Sequence, residues 1–130
     1  MQGLRCVAAH HAKDTDDPNI TKELRALGIR LHLNSALSQL KTNQDAEAIK
    51  STTRALEIDG ISESEKAKAF YRRGRAYERG NEHELAVEDL KRALALNPND
   101  SGVLAELNRA KDGLKMRREM EKKTYSKIFS

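Results

Sequence analysis

The stretch AKAFYRRGRAYERGNEHELAVEDLKRALALNPND, residues 67–100, decides the fold. Small, apolar or aromatic residues recur in it at fixed offsets, followed by a proline: Phe70, Gly74, Tyr77, Ala86, Leu90, Ala93 and Pro98. This pattern is typical of a helical hairpin in which Gly and Ala let two helices cross closely and an aromatic ring fills the gap between them. A single match can arise by chance, so a second copy is the stronger evidence.

A second copy covers residues 29–62. Three small residues correspond between the copies, and the pairs are Ala36 with Gly74, Ala48 with Ala86, and Ala55 with Ala93. The two members of each pair are 38 positions apart. One 34-residue tetratricopeptide unit plus about four linker residues gives this spacing. The sequence therefore predicts an all-α array of stacked tetratricopeptide hairpins.

The chain is expected to form a single domain, because 130 residues can bury one modest core. Its predicted parts are the remnant helix of a partial first repeat (3–13), one repeat (20–62), a second repeat (63–100), and a long C-terminal capping helix with a basic tail (101–130). The remnant helix carries Leu4, Val7 and Ala8 on one side. A helix this short is marginal alone and must pack on the next helix of the chain.

Helical spacing and capping signals set the expected element boundaries. Helices are predicted from about 20 to 41 and from 45 to 58, then from the capping box of Ser62 and Glu65 to Arg79, and from 82 to 96. In the first of these, the apolar positions are Leu24, Leu27, Leu31, Ala36 and Leu40. In the capping helix they are Val103, Leu104, Leu107, Ala110 and Leu114. Gly80 and Asn81 are predicted to form the second interhelix turn.

Composition fits a soluble helical repeat. The chain is 38% hydrophobic and 34% charged, with no Trp and two Pro, which favours this class over a β-sandwich or an α/β enzyme. The N-terminus lacks the apolar core of a signal peptide, and no apolar run is long enough to cross a membrane. Cys6 is the only cysteine, so a reducing cytosolic or nuclear setting is the expectation.

A stripe of like charge indicates the binding surface. Lys68, Arg72, Arg75 and Arg79 follow helical spacing away from the packing face, and the corresponding positions of the other copy are Arg30, Asn34, Leu37 and Lys41. Adjacent like charges on a helix repel by roughly 0.2–0.5 kcal/mol per pair, so an anionic partner would offset the cost. A solvated basic face is the alternative. On the concave side of a hairpin array these residues would form a trough with six cations, one amide and an apolar patch, to which Tyr71 adds.

No catalytic or metal-binding pattern is found in the sequence. His10 and His11 are adjacent and lack a third ligand at a suitable spacing, and Cys6 has no partner base. There is no Gly-rich phosphate loop and no nucleophile elbow. We therefore expect no enzymatic activity, no cofactor and no metal in this chain.

The net charge of +4 comes entirely from the C-terminal tail. Residues 1–100 contain 16 basic and 16 acidic residues, whereas residues 101–130 contain 8 and 4. Five aromatic residues are too few for a nucleic-acid stacking surface, and the segment after Leu114 lacks the broad apolar face that a membrane surface needs. A solvated helix end is the expectation, and contact with calmodulin is the alternative.

With these motifs in place, the chain resembles the C-terminal tetratricopeptide domain of the large immunophilins, most closely that of the forty-kilodalton cyclophilins. The resembling stretches are LHLNSALSQLK (31–41), KAKAFYRRGRAYERG (66–80), AVEDLKRALALNPND (86–100) and KKTYSKIFS (122–130). The resemblance implies a co-chaperone module that grips the C-terminal tail of the ninety-kilodalton heat-shock chaperone, which ends Glu-Glu-Val-Asp. A scaffold that binds its partner through another surface is the alternative.

The resemblance also implies which residues form the carboxylate clamp. Asn34, Lys68 and Arg72 match three of its five positions. The other two belong to a leading helix that this sequence does not contain, so we expect a weakened clamp. The cyclophilin domain, to which the resemblance assigns prolyl isomerase activity, is also absent from this sequence. A repeat surface left uncovered in this way predicts self-association.

Overall fold

The computed structural model describes residues 17–130, so the helix predicted at residues 3–13 lies outside the described part. Five α-helices follow one another: α1 Pro18–Lys41, α2 Asp45–Leu56, α3 Glu63–Arg79, α4 His83–Leu96 and α5 Ser101–Phe129. Residues 17–130 contain no strand, which confirms the all-α prediction. The division into a repeat at 20–62 and another at 63–100 stays a prediction.

The helices form two rows. The helix α1 pairs with α2 and α3 pairs with α4, while α3 also contacts α1 and α5. We call α1, α3 and α5 the inner row, because α3 contacts both of the others, and we call α2 and α4 the outer row. The predicted end of α2 at Ile58 was two residues late, because α2 ends at Leu56 and its C-cap is Glu57.

Side chains cap the starts of α1 and α3, and at α3 the cap is the predicted capping box. The carboxylate of Asp17 accepts a hydrogen bond from the Asn19 backbone N–H at 2.9 Å, directly before Pro18 opens α1. At α3, the Ser62 hydroxyl accepts from the Glu65 backbone N–H at 3.2 Å, and the Glu65 carboxylate accepts from the Ser62 N–H at 3.0 Å. Two otherwise unsatisfied donors are thus paired reciprocally.

Replacing Ser62 tests this capping box. Ser62→Ala removes the hydroxyl that accepts from Glu65, and loss of such a cap costs about 1 kcal/mol. We expect a drop of that size in the free energy of unfolding, measured by urea titration. Ser64→Ala is the matched control, since Ser64 lies in the first turn of α3 and is exposed. Equal effects of the two substitutions would contradict the capping role.

The two hairpin turns are equivalent in backbone conformation. Asn43 has φ 60° and Asn81 has φ 61°, and these residues are also 38 positions apart. Asparagine tolerates the left-handed region better than most residues with a side chain. The sequence placed the second turn at Gly80 and Asn81, and the left-handed residue there is Asn81 rather than the glycine.

The core follows the repeat pattern. All six small residues paired in the sequence are buried: Ala36, Ala48, Ala55, Gly74, Ala86 and Ala93. Phe70 and Tyr77 are half-buried and pack on the cluster formed by α4 and α5. The sequence missed a second buried face of α3, where Ala69 and Ala76 pack against residues of α1 and α2.

The apolar positions that the sequence grouped on α1 do not share one face. Leu24, Leu27 and Leu31 are exposed, and the buried residues of α1 are Ile29, Leu33, Ala36 and Leu40. The physical reason is that α1 has two apolar faces on opposite sides, and α2 and α3 cover one of them. Sequence spacing alone joined residues from both faces into one stripe.

The capping helix α5 is anchored by its first half. Val103, Leu107 and Ala110 are buried against α4 as predicted, but Leu104 is 47% exposed and does not belong to the core face. From residue 118 onward every residue is exposed, which agrees with a solvated helix end. Within residues 17–130, none of the helices combines the length and apolar character that crossing a membrane requires.

Candidate functional site

The inner helices α1 and α3 meet at the position where the sequence predicted the clamp. The guanidinium of Arg72 on α3 donates a hydrogen bond to the Leu33 carbonyl on α1 at 2.8 Å. Asn34 directly follows Leu33 and is exposed, and Lys68 precedes Arg72 by one helical turn. The contact between Arg72 and Leu33 therefore brings α3 against α1 beside Asn34.

Burial changes the electrostatics of Arg72. Its side chain is partly buried between the inner helices, and this desolvation lowers the pKa of its guanidinium below the ordinary value for arginine. A charged group that has lost part of its water interacts more strongly with an incoming anion. A guanidinium has five N–H donors, and the bond to Leu33 uses one of them. Donors therefore remain for a ligand.

Lys68 lines a cavity of 350 Å³ between α3 and the neighbouring helix ends. Tyr71 shares this cavity with Lys68, and Asp100 and Val103 contribute from the region where α5 begins. The Asp100 carboxylate already accepts from the backbone N–H groups of Gly102 and Val103 as the N-cap of α5. Lys68 is exposed, and no hydrogen bond or ion pair engages it within residues 17–130.

Arg79 occupies the equivalent place two turns further along α3. Its guanidinium donates to the Leu40 carbonyl at 2.6 Å and to the Asn43 side-chain oxygen, and it lies 3.4 Å from the Asp45 carboxylate. Arg72 and Arg79 are each 39 residues after the carbonyl they bind. The two arginines thus repeat one contact that joins α3 to α1. Arg79 holds the end of α1, and its contribution to the potential of the groove stays a prediction.

The remaining predicted groove residues differ in their exposure and in their contacts. Arg30 and Lys41 are exposed on α1, and Leu37 is half-buried beside them. The Arg75 guanidinium lies 5.7 Å from the centre of the Tyr71 ring, within the range of a cation–π contact. This contact fixes Arg75 near the cavity that Lys68 lines.

Sequence reasoning missed the most strongly bound cation of α3. Arg73 donates from two nitrogens to the buried Asp89 carboxylate at 2.7 and 2.9 Å and from a third to the Thr53 hydroxyl at 3.1 Å. The hydrogen bond to Asp89 raises the pKa of Arg73 above its ordinary value. Arg73 was hidden in the sequence because it stands directly beside Arg72, which belongs to the predicted binding stripe. The signal that could have found it is Asp89, an acidic residue beside Leu90 on the buried face of α4.

Comparison with known proteins identifies the repeat in the same stretch that the sequence singled out. The tetratricopeptide repeat family model matches residues 67–100. The chain is 36% identical over 99% of its length to peptidyl-prolyl cis-trans isomerase D of Cryptococcus neoformans. It is 38% identical over 84% of its length to peptidyl-prolyl cis-trans isomerase D of Kluyveromyces lactis.

A solved structure supports the same fold. The structure of the UNC-45 chaperone, a protein that binds and folds muscle myosin, matches 95% of this chain with a TM-score of 0.64 and 32% sequence identity. The chain covers 14% of that protein. It likewise spans 36% and 29% of the lengths of the two isomerase relatives.

Proposed function

The chain belongs to the tetratricopeptide repeat domains found in peptidyl-prolyl cis-trans isomerase D proteins, and we propose that it binds the acidic C-terminal tail of a chaperone. The tail in question ends Glu-Glu-Val-Asp and belongs to the ninety-kilodalton heat-shock chaperone. The observation that supports the proposal is a partly buried Arg72 at the junction of α1 and α3, beside the exposed Asn34 and with the exposed Lys68 one helical turn before it on α3.

Each residue has a chemical role in the proposed complex. The Arg72 guanidinium is a planar fork with free donors that suits a carboxylate, and Lys68 is a mobile point charge for a second one. Asn34 can both donate to and accept from the peptide backbone of the tail. Arg30, Lys41 and Arg75 raise the positive potential of the groove, which speeds encounter with an acidic peptide.

The apolar part of the tail also has a matching surface. Leu37 is half-buried on α1, and Tyr71 lines the 350 Å³ cavity together with Lys68. We assign the valine of the tail to this apolar surface. An aliphatic side chain that leaves water there contributes about 25 cal/mol per Å² of buried apolar area.

Titration with a Glu-Glu-Val-Asp peptide tests the proposal. We expect Lys68→Ala and Arg72→Ala each to weaken binding about tenfold, because each removes a charge-assisted hydrogen bond. Binding should also weaken as salt is added. The control is Lys91→Ala, which removes an exposed cation on α4 in the outer row. Unchanged affinity in both groove variants, or binding that ignores salt, would contradict the clamp.

A scaffold that binds through its outer helices is the second candidate. A cavity of 600 Å³ lies between α2, α3 and α4, and Leu56, Phe70 and Ala95 are among its apolar lining residues. This cavity lies away from Lys68 and could receive an apolar side chain of a partner. A partner that the Lys68→Ala chain captures as well as the unchanged chain does would favour this candidate.

The isomerase activity named for the relatives belongs to the proposal only for a longer parent protein. The chain spans about a third of each of those relatives, and the matched region is a tetratricopeptide domain. In such a parent, this domain would deliver an isomerase to chaperone-bound clients as a co-chaperone module. Prolyl isomerase activity of the isolated 130-residue chain would overturn that division of roles.

A further inference from the structure

Two evenly placed hydrogen bonds join the inner helices α1 and α3. Arg72 donates to the Leu33 carbonyl at 2.8 Å, and Arg79 donates to the Leu40 carbonyl at 2.6 Å. The donors are seven residues apart on α3, and the acceptors are seven residues apart on α1. At a rise of about 1.5 Å per residue, the two bonds lie about 10 Å apart along each helix. Two fixed points set both the spacing and the crossing angle of the helices, whereas a single point would let them pivot.

The apolar packing between these helices does less to fix the angle. The residues of α3 that are buried against α1 and α2 are Ala69 and Ala76. Their methyl groups form low ridges, and low ridges interlock less with a neighbouring helix than large side chains do. The bonds from Arg72 and Arg79 therefore have a large part in orienting α3 on α1.

The guanidinium of Arg79 is engaged at all three of its nitrogens. Besides its bond to Leu40, it donates to the Asn43 side-chain oxygen, and its Nε lies 3.4 Å from Oδ1 of Asp45. That Oδ1 atom is buried and has no hydrogen-bond partner within residues 17–130, so the nearby Arg79 is the cation that offsets its charge. Arg72 differs, because its contact with α1 uses one nitrogen and leaves donors for a ligand.

The contact made by Arg79 recurs one repeat later. Arg117 on α5 donates to the Asn81 carbonyl at 3.4 Å and to the Glu84 carboxylate at 3.0 Å. Arg117 follows Arg79 by 38 residues, and Asn81 follows Asn43 by 38 residues. Each arginine therefore reaches back to the left-handed asparagine in the turn of the preceding hairpin. A contact that recurs with the repeat indicates a role in stacking the hairpins.

We propose that Arg79 is a positioning residue, which fixes the crossing of α1 and α3 and thereby the spacing between Asn34 and Lys68. This inference rests on the proposed function and deepens it, since Arg79 acts on the clamp without touching the peptide. When its contact is lost, α3 pivots about the bond from Arg72. Lys68 lies four residues before Arg72, about 6 Å along the helix, so a pivot of about 10° moves it by about 1 Å relative to α1. A binding site that is no longer held in its bound geometry loses affinity.

Titration with the Glu-Glu-Val-Asp peptide tests this role through Arg79→Lys. Lysine keeps the positive charge but lacks the planar fork that binds several acceptors at once. We expect the affinity to fall about fivefold through faster dissociation, with unchanged salt dependence, because the groove keeps its potential and loses its fixed geometry. Arg117→Lys is the matched control. It breaks the corresponding contact on α5, which holds none of the clamp residues, and should leave the affinity unchanged.

Three results of this titration would overturn the proposal. Unchanged affinity of the Arg79→Lys chain would show that the contact does not influence the clamp. A loss through slower association that added salt abolishes would show that Arg79 acts through the potential of the groove. Equal losses in the Arg79→Lys and Arg117→Lys chains would show a general effect of destabilisation.

Removal of the acceptor provides a second route to the same contact. Asn43→Gly deletes the side-chain oxygen that Arg79 binds, and glycine adopts the left-handed backbone of this turn without strain. The substitution should weaken peptide binding in the same way. Combined with Arg79→Lys it should cause no further loss, because both changes break one contact. Fully additive losses would overturn the assignment of the effect to this contact.

A distance measurement separates the positioning role from the proposed function. Nitroxide labels at Ser35→Cys on α1 and Ser64→Cys on α3, both exposed positions, report the spacing of the helices near the clamp. Cys6→Ser restricts labelling to these two sites. Pulsed electron paramagnetic resonance should give a broader distance distribution with Arg79→Lys and an unchanged one with Arg117→Lys. If the unchanged chain does not bind the peptide, the proposed function fails, and an unaltered distribution with Arg79→Lys would independently overturn the positioning role.

Discussion

Asp89→Asn should lower the free energy of unfolding by about 3–5 kcal/mol, because it breaks a buried ion pair and leaves one charge without its partner. The Asp89 side chain is 2% exposed, and the Arg73 side chain is 16% exposed. The carboxylate receives two parallel hydrogen bonds from Arg73 and a third from Arg92 at 3.1 Å. The asparagine keeps the volume of aspartate, but it turns an amide N–H₂ towards donors that need an acceptor.

The loss should extend across three helices. Arg73 also donates to Thr53, so the pair joins α2, α3 and α4 around one guanidinium. Since total stabilities of small domains are of the order of 5–15 kcal/mol, this one substitution removes a large share. Urea titration followed by circular dichroism measures the change. A loss below about 1 kcal/mol would show that the pair behaves as a surface ion pair.

Two controls separate the buried pair from its surroundings. Glu88→Gln changes the exposed neighbour of Asp89 and should alter stability by less than about 0.5 kcal/mol. Arg92→Ala removes a cation whose side chain is 53% exposed, and exposed partners contribute about 1 kcal/mol or less. The order Asp89→Asn, then Arg92→Ala, then Glu88→Gln is the expected result.

The pH dependence of this effect has a definite sign. The folded-state pKa of Arg73 is raised, so its contribution is fully present below the unfolded-state pKa and is lost only as pH rises through the folded-state value. Arginine titrates in strongly alkaline solution. The difference in stability between the unchanged chain and Asp89→Asn should therefore stay constant from neutral to mildly alkaline pH. A difference that shrinks in that range would contradict the assignment of the charge to Arg73.

The sequence predicted the fold well because the same packing constraints act on both copies of the repeat. Positions such as Ala36 and Gly74 are small for the same steric reason in both copies, and a 38-residue offset between copies is hard to obtain by chance. The capping box at Ser62 was predictable because it depends on residues three positions apart. Local rules of this kind can be read directly from the sequence.

The sequence does not show in the same way which charged residues bind other parts of the fold and which remain available for a ligand. Arg72, Arg73 and Arg79 are identical in type, yet their guanidinium groups bind the Leu33 carbonyl, the Asp89 carboxylate and the Leu40 carbonyl. Their acceptors are 39, 16 and 39 residues away, so the partners depend on how the helices cross. A helical wheel places these arginines on faces, but it does not identify the carbonyl or carboxylate that each face meets.

The two faces of α1 illustrate a different limit. Leu27 and Ile29 are only two residues apart, and one is exposed while the other is buried. Periodicity indicates that both faces are apolar, but only the packing of α2 and α3 decides which face is covered. The sequence spacing therefore grouped exposed and buried apolar positions of α1 together.

Gly74→Ala should lower the free energy of unfolding by about 2 kcal/mol, because the helices α3 and α4 cross too closely at Gly74 to admit a methyl group. A Cβ at this position would lie 2.7 Å from Cγ and 3.0 Å from Cδ2 of Leu90. Leu90 is fully buried and cannot swing away into solvent. Overpacking of this kind costs up to about 3 kcal/mol, and the gain in helix propensity from Gly to Ala returns about 1 kcal/mol.

Gly28→Ala is the matched control, with the same chemical change and the opposite expected sign. Its Cβ would meet only the tip of the Ile58 side chain, at 3.4 Å, so the gain of about 1 kcal/mol in helix propensity should dominate. A second substitution provides a further test, since Leu90→Ala removes both atoms that the new Cβ would meet and should cost less stability in the Gly74→Ala background than in the unchanged chain, through coupling of two residues in contact. If Gly74→Ala and Gly28→Ala shift stability in the same direction, helix propensity rather than the closeness of the crossing governs both sites. The small residue of the repeat would then need another explanation.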